Sequence, residues 1–192
     1  MKLQLILLDD LFYRGTGPQG PSGDSNSTCC ACINQIRNII EQIITLYPNN
    51  DLFITLEGGD AVIGKPGSIR LGPDGQSGVF EILSSTANLT TLISICSIDS
   101  IRVNNDTYND AITYLPAPTP LPTGCCSDCD SAIRASLPVG RQNTTIITNS
   151  QAASQGNVVR NEYGIIVLEN TTDNYIAFIS SCRIDLIYFL NS

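Results

Sequence analysis

An internal repeat limits the fold of this chain more than any other feature of its sequence. ISICSIDSIRV at 93–103 matches ISSCRIDLIYF at 179–189, with Ile, Ser, Cys, Ile, Asp and Ile in the same positions at a constant offset of 86. Ile69-Arg70 has a counterpart in Val159-Arg160, and 78–83 has one in 164–169. Matching segments in the same order indicate a tandem duplication of one structural unit.

Each predicted unit opens with a cysteine-rich helix start and continues as short strands. Isoleucines of residues 29–47 recur at the three- and four-residue spacing of an amphipathic helix, and CCAC stands at its start. The apolar period then changes to two, with strands predicted around 52–57, 79–83, 92–103, 144–148, 164–169 and 175–190. We therefore expect a mainly β protein with small α content, built from two tandem-duplicated, sandwich-like antiparallel units.

Composition divides the chain into four segments. Residues 1–27 form an N-terminal arm and a short collagen-like spacer, in which glycines 17, 20 and 23 begin three Gly-X-Y triplets. Residues 28–108 form the first unit, and residues 125–192 form the second. The prolines at 116, 118, 120 and 122 predict a stiff linker over 109–124.

Charge and residue usage exclude several functions. The net charge of −8 disfavours nucleic acid and anionic membrane surfaces, which both need clustered Lys and Arg. The chain has no histidine, which removes Ser-His-Asp and Cys-His catalysis and every imidazole metal site. We therefore expect no catalytic residues, no cofactor and no resident metal, and a protein that is not an enzyme.

The eight cysteines divide four and four between the units, and all are candidates for disulfides or cross-links: Cys29, Cys30, Cys32, Cys96, Cys125, Cys126, Cys129 and Cys182. A Cys₄ metal site in each unit is one alternative, although the spacing differs from that of zinc ribbons. Buried thiols are a second alternative, which suits Cys96 and Cys182 in apolar strands. We favour disulfides, with a bond inside each unit, such as Cys32 to Cys96, and surface thiols left for bonds between subunits.

The first thirteen residues form an apolar arm that predicts a docking strand. Its apolar side chains are Leu3, Leu5, Ile6, Leu7, Leu8, Leu11 and Phe12, and no small-residue cleavage site follows them. If left free, they would expose several hundred Å² of apolar surface. We expect the arm to add as a strand to a neighbouring subunit. The alternative is an edge strand of its own first unit.

The chain also resembles a family of cysteine-rich, collagen-like spore-surface proteins from endospore-forming Firmicutes. The resemblance covers roughly residues 15–185 and rests on GPQGPSG, CCACINQIRNIIEQIITLYP, GKPGSIRLGP, YNDAITYLPAPTPLPTGCCSDCDSAIRASLPVG and VVRNEYG. It implies a component of the exosporium, coat or spore appendage. Synthesis in the mother cell without a signal peptide, followed by oxidation after lysis, would reconcile the cysteines with the missing export signal.

We therefore expect a self-assembling structural protein, a subunit of a fibre, appendage or lattice held by strand exchange and intersubunit disulfides. Its expected partners are copies of itself and other spore-coat proteins, with no nucleic acid and no membrane. The alternative is an adhesion or carbohydrate-binding tip on a collagen-like stem. That function would require a trimer and an exposed aromatic or acidic groove.

Overall fold

A computed structural model describes residues 28–84, 89–149 and 152–190. The first half contains helix α1 (Thr28–Leu46), strands β1 (Leu52–Leu56), β2 (Ala61–Leu71), β3 (Gly78–Leu83) and β4 (Thr90–Ser94), the 3₁₀ turn η1 (Ile95–Ser97) and strand β5 (Ile98–Asn104). The second half contains α2 (Cys125–Ala135), β6 (Thr144–Thr148), β7 (Ala153–Glu162), β8 (Ile165–Asn170), β9 (Tyr175–Ser180), η2 (Ser181–Arg183) and β10 (Ile184–Phe189). The mainly β, small α prediction is confirmed. The arm and the Gly-X-Y triplets lie outside the described residues.

The ten strands form one antiparallel sheet in the order β10-β6-β7-β8-β9-β5-β1-β2-β3-β4. Within the first half, β5 pairs with β1, β1 with β2, β2 with β3, and β3 with β4. Within the second half, β10 pairs with β6, β6 with β7, β7 with β8, and β8 with β9. The two halves thus share one order of elements and one pairing scheme. Their origin by duplication stays a prediction.

The pairing of β5 with β9 joins the two halves into one sheet, with Ile101 opposite Phe178 and Val103 opposite Ile176. Alternate residues of β9 then face two different apolar cores. Ile176 and Phe178 pack in the core that holds the isoleucines of α1 and the inner faces of β1, β3, β4 and β5. Ala177 and Ile179 pack in the smaller core beneath β6 and β10. Strand β9 is therefore buried on both faces.

Two strands, β2 and β7, were not predicted from the sequence, and each contains a shift in pairing register. In β2, Pro66 and Gly67 lie at a bulge, where the strand changes its partner from β1 to β3. A bulge tolerates the missing N–H of proline. A Cβ on Gly67 would lie 2.8 Å from the carbonyl oxygen of Glu81, so the glycine permits close strand packing. In β7, the register shifts between Val158 and Arg160.

Two long predicted strands are each divided by a 3₁₀ turn. The prediction over 92–103 becomes part of β4, η1 and β5, and the prediction over 175–190 becomes β9, η2 and β10. Cys96 lies in η1 and Cys182 in η2, so their placement in apolar strands was wrong. Each cysteine lies between the fourth and fifth strand of its half.

Candidate functional site

The cysteines meet where the starts of both helices approach the two 3₁₀ turns. Cys32 of α1 and Cys182 of η2 form a disulfide with an Sγ–Sγ distance of 1.97 Å. The bond joins the first half to the second, so the expected bond from Cys32 to Cys96 is wrong. Both 3₁₀ turns lie against α1, because β5 pairs with β9, and the cysteine that reaches Cys32 is the one in η2. Placement in the sheet, and not membership of a repeat, decides the partner.

A buried acid fastens α2 to the same turn. Asp130 is 2% exposed, and its carboxylate accepts hydrogen bonds from Arg134 Nε at 2.9 Å and Ser181 Oγ at 2.5 Å. Arg134 also lies over the ring of Tyr163 at 4.9 Å. The four-residue spacing of Asp130 and Arg134 on one helix face was a signal available in the sequence. It predicts the ion pair, although it does not predict the partner in η2.

Arg183 holds η2 against the first half. Its guanidinium lies 3.1 Å from the carboxylate of Glu57 and 3.8 Å from that of the fully buried Asp99. It also donates a hydrogen bond to the carbonyl oxygen of Cys96 at 2.9 Å, which brings the two 3₁₀ turns together. Arg183 thus supplies the positive partner that a buried carboxylate needs at this junction.

The other six cysteines lie outside this disulfide. Cys30 is half-buried, and the remaining five are exposed: Cys29, Cys96, Cys125, Cys126 and Cys129. Four of the exposed thiols (Cys29, Cys125, Cys126 and Cys129) line a groove of about 380 Å³ between α2 and η2, whose floor includes Ile133 and Ile184. The groove offers several thiols to an incoming sulfur atom.

Although Cys29 is exposed overall, partial desolvation of its thiol raises its pKa, and the neighbouring Cys30, Cys96 and Cys126 raise it further. The charge of Arg183 opposes this shift. Because the thiolate is the attacking species in disulfide exchange, this shift lowers the fraction of Cys29 that can attack.

One group of three potential metal ligands occurs among the described residues, namely Cys32, Asp130 and Cys182. Two of its three ligand atoms are the sulfurs of the disulfide, and a metal requires thiolates. The carboxylate of Asp130 is already held by Arg134 and Ser181. The residues of this group therefore serve as a structural clamp.

A second groove, of about 240 Å³, is lined by polar residues at the turn after β8, among them Asn157, Glu169, Asn170 and Asp173. Asn170 Oδ1 accepts the backbone N–H groups of Thr172 and Asp173, so its carbonyl oxygen is used by its own turn. No aromatic ring lies among the residues that line this groove. The groove offers a sugar ring no stacking surface, but it does contain two carboxylates, Glu169 and Asp173. The carbohydrate-binding alternative therefore stays a prediction.

The predicted docking residues of the arm, Leu3 to Phe12, lie outside the described residues. Neither α1 nor α2 has the length and apolar content that a helix needs to cross a bilayer, and this finding covers residues 28–84, 89–149 and 152–190. Comparison of the chain with family models, with curated proteins and with solved structures gave no match.

Proposed function

We propose that this chain is a self-assembling structural subunit of a bacterial spore surface, incorporated into a fibre, appendage or lattice. One observation carries the proposal. The ten-stranded sheet ends in β4 on one side and β10 on the other, and within the described residues each of them pairs with a single strand. An unpaired edge is a template for another strand, and two such edges on one subunit allow a chain of subunits.

The exposed thiols supply the covalent part of the assembly. The monomer has five exposed cysteines in addition to two edge strands that no described strand covers. Exposed thiols would cross-link such a monomer to other molecules when they oxidise. For a subunit that assembles in a reducing cell and is oxidised after lysis, the same thiols lock the polymer. The apolar arm is one proposed strand connector, and direct pairing of the edge strands β10 and β4 is the other. The resemblance to spore-surface proteins supplies the location.

Electron microscopy of the purified full chain, with and without reductant, tests this function. We expect ordered polymers after oxidation, and non-reducing gels should show ladders that collapse to single chains when reductant is added. Discrete monomers or trimers in oxidised samples would overturn the proposal. Antibody labelling of intact spores from the source organism tests the location, since the proposal requires label on the spore surface.

Deleting residues 1–14 tests the arm. A folded, soluble chain that no longer polymerises is the result expected if the arm connects subunits. Polymers of the same order and yield would show that the arm is not the connector. Far-ultraviolet circular dichroism of the truncated chain separates either result from simple unfolding, which would assign the arm to the core of its own subunit.

A further inference from the structure

Each half of the chain carries its own copy of the surfaces that meet at the junction between the halves. The junction uses one copy of each surface, and no described strand pairs with the other copy. At this junction β5 of the first half pairs with β9 of the second, and Cys32 of α1 bonds to Cys182 of η2. In the order of elements, β10 stands where β5 stands, β4 where β9 stands, α2 where α1 stands, and η1 where η2 stands. Strands β10 and β4 lie at the two ends of the sheet.

We infer that two copies of this chain join head to tail through these open surfaces, with β10 of one copy pairing antiparallel with β4 of the next. Cys129 of the first copy then forms a disulfide with Cys96 of the second. The inference rests on the proposed function and names the interface that would carry it. The same contact repeats at each end of every subunit, so it generates an open polymer unless the rotation between subunits closes a ring.

The repeat also predicts the register of the new strand pair. Inside the chain Ile101 lies opposite Phe178, and Asn104 lies opposite Tyr175. Transfer by the offset of 86 residues places Ile187 opposite Leu92 of the next copy. It also places Leu190 opposite Leu89 of that copy.

Apolar side chains stand on both open edges where this register needs them. Leu89 is 59% exposed, Leu92 is 51% exposed and Leu190 is 58% exposed. On β10, Leu186 and Tyr188 are also exposed. Edge strands of stable monomers carry charges or proline instead, since apolar edges pair with other chains. These edges carry no such protection at the positions that would meet.

The cysteine pair follows from the helices. Cys32 precedes Ile36-Arg37 by four residues in α1, and Cys129 precedes Ile133-Arg134 by four residues in α2. Cys182 and Cys96 are the cysteines of η2 and η1. The observed pair Cys32–Cys182 and the proposed pair Cys129–Cys96 therefore have the same composition. Each joins a helix cysteine, one turn before Ile-Arg, to the cysteine of a 3₁₀ turn.

A space for the incoming turn is present. In the internal junction η2 lies against α1, and its Arg183 reaches the carbonyl oxygen of Cys96 in η1. The corresponding space between α2 and η2 is the groove of about 380 Å³ that Cys129 lines. The η1 turn of a second copy is the occupant that the repeat predicts for it.

The two junctions differ in the ion pairs of one residue. Arg183 of η2 pairs with both Glu57 and Asp99 inside the chain. Ser97 stands at the position that corresponds to Arg183 in the new junction, and it carries no charge for either ion pair. The junction between copies therefore depends on strand pairing and on the disulfide.

Oxidised glutathione provides a balanced route to the bond. The thiolate of Cys129 attacks the disulfide of the reagent, forms a mixed disulfide and releases one glutathione thiolate. The thiolate of Cys96 from the next copy then attacks the sulfur of Cys129 and releases the second glutathione thiolate. Two protein thiols become one disulfide, and one molecule of oxidised glutathione becomes two of reduced glutathione.

The test uses full-length single variants, C96S and C129S, oxidised with glutathione separately and as an equimolar mixture. The first variant keeps only the Cys129 side of the junction, and the second keeps only the Cys96 side. We expect the mixture to form a two-chain species that reductant splits, with a Cys96–Cys129 peptide found by mass spectrometry. Neither variant alone should give that peptide. C125S is the matched control, since it removes an exposed thiol of the same helix and should leave the bond in place.

The remaining results separate the failure of this inference from that of the proposed function. Polymers linked through other cysteines would overturn the inference alone, and so would a Cys96–Cys129 bond in protein that runs as a single chain. Oxidised wild-type chain that forms no polymer would overturn both.

Two further variants test the strand pair. Lysine on the open edge, in L92K, should shift oxidised protein from ladders to single chains, whereas L121K, at an equally exposed leucine of the linker, should not. A ladder unchanged by L92K would overturn the pairing. Deletion of residues 1–14 should leave the Cys96–Cys129 bond intact. Loss of that bond from the folded, truncated chain would assign the open edge to the arm of a neighbour instead.

Discussion

Strands β4 and β9 are each the fourth strand of their half of the chain, but β4 is mostly exposed whereas β9 is buried. All six residues of β9 are buried, because β8 and β5 pair with its two edges and a separate core covers each face. In β4 only Ile93 is buried, and Leu92 is 51% exposed. The first half therefore covers the second, whereas within residues 28–84, 89–149 and 152–190 no strand pairs with the outer edge of β4.

Residue type follows this difference at two of the four matched positions of β8 and β9 that face the larger core. Ile176 and Val167 face the covered side of the second half, and Thr90 and Glu81 stand at the corresponding positions of the first half. Polar residues lower the cost of an uncovered sheet face. Phe178 corresponds to Leu92, which stays apolar although it is exposed. The open face is therefore only partly adapted to water.

Among the variants that compare the two halves, removal of the disulfide between them should cause the largest loss of unfolding free energy. Cys32 and Cys182 are 150 residues apart, and a loop of that length corresponds to about 5 kcal/mol of unfolding free energy in the chain-entropy treatment. We expect the double variant C32S/C182S, made in a C96S background that cannot form the proposed bond between copies, to lose stability of this order. Urea unfolding of the non-reduced monomer measures the loss.

The control for this prediction is C129S in the same C96S background. Cys129 is exposed and stands where Cys32 stands in the other helix, so its removal should change the unfolding free energy by less than about 0.5 kcal/mol. If the C32S/C182S and C129S variants lost the same unfolding free energy, the starts of α1 and α2 would contribute equally to stability. The two halves would then not differ in this respect.

Truncating the matched apolar side chains should give the next largest difference. Phe178 is 0% exposed, and Phe178→Ala should lower the unfolding free energy by roughly 3–5 kcal/mol through lost burial and a cavity. Leu92→Ala should change the unfolding free energy of the monomer by less than about 0.5 kcal/mol, because half of this side chain is already in water. Urea unfolding of both variants in the C96S background measures the contrast. A loss of several kcal/mol for Leu92→Ala would mean that the first half is already covered within the monomer.

The sequence predicted the elements whose signals are local. The isoleucine spacing placed α1 within one residue of its ends, and Leu137-Pro138 explains why α2 ends at Ala135. Strand β2 was missed because the local meaning of Gly64, Pro66 and Gly67 is a turn. Their role in the fold is to bend one strand from β1 to β3 and to let the backbones approach closely. That role depends on a neighbouring strand and leaves no local signal.

The sequence identified the cysteines of the site, but it did not predict which of them form the disulfide. The cysteines of both helix starts were identified as cross-link candidates, and Cys32 and Cys182 do form a disulfide. Their pairing depends on β5 lying beside β9, a contact between residues more than 70 positions apart in the sequence. Arg183, which stabilises this junction, was missed because Ser97 replaces it in the first repeat.

The smallest expected effect concerns Tyr47, which anchors the end of α1 and has no counterpart beyond the shorter α2. Its hydroxyl donates a hydrogen bond to the carbonyl oxygen of Thr107 and accepts one from the N–H of Asn109. Burial raises its pKa from the ordinary value of 10.0 to about 12, although the Asn109 contact acts in the opposite direction. Nearby charged forms of Asp106 and Glu169 raise it further.

The sign of the pH effect follows from this pKa. Between about pH 10 and pH 12 the unfolded chain loses the phenol proton while the folded chain keeps it, so the unfolded state binds fewer protons and stability falls as pH rises. We expect Tyr47→Phe to be less stable than wild type at pH 8, through the lost hydrogen bonds, and to have a weaker decline of stability above pH 10. Absorbance at 295 nm should show one fewer phenol titrating near pH 12 in the variant. A difference curve that shows the missing phenol titrating near pH 10 instead would mean that Tyr47 ionises as it does in water, and that its anchoring of α1 is lost.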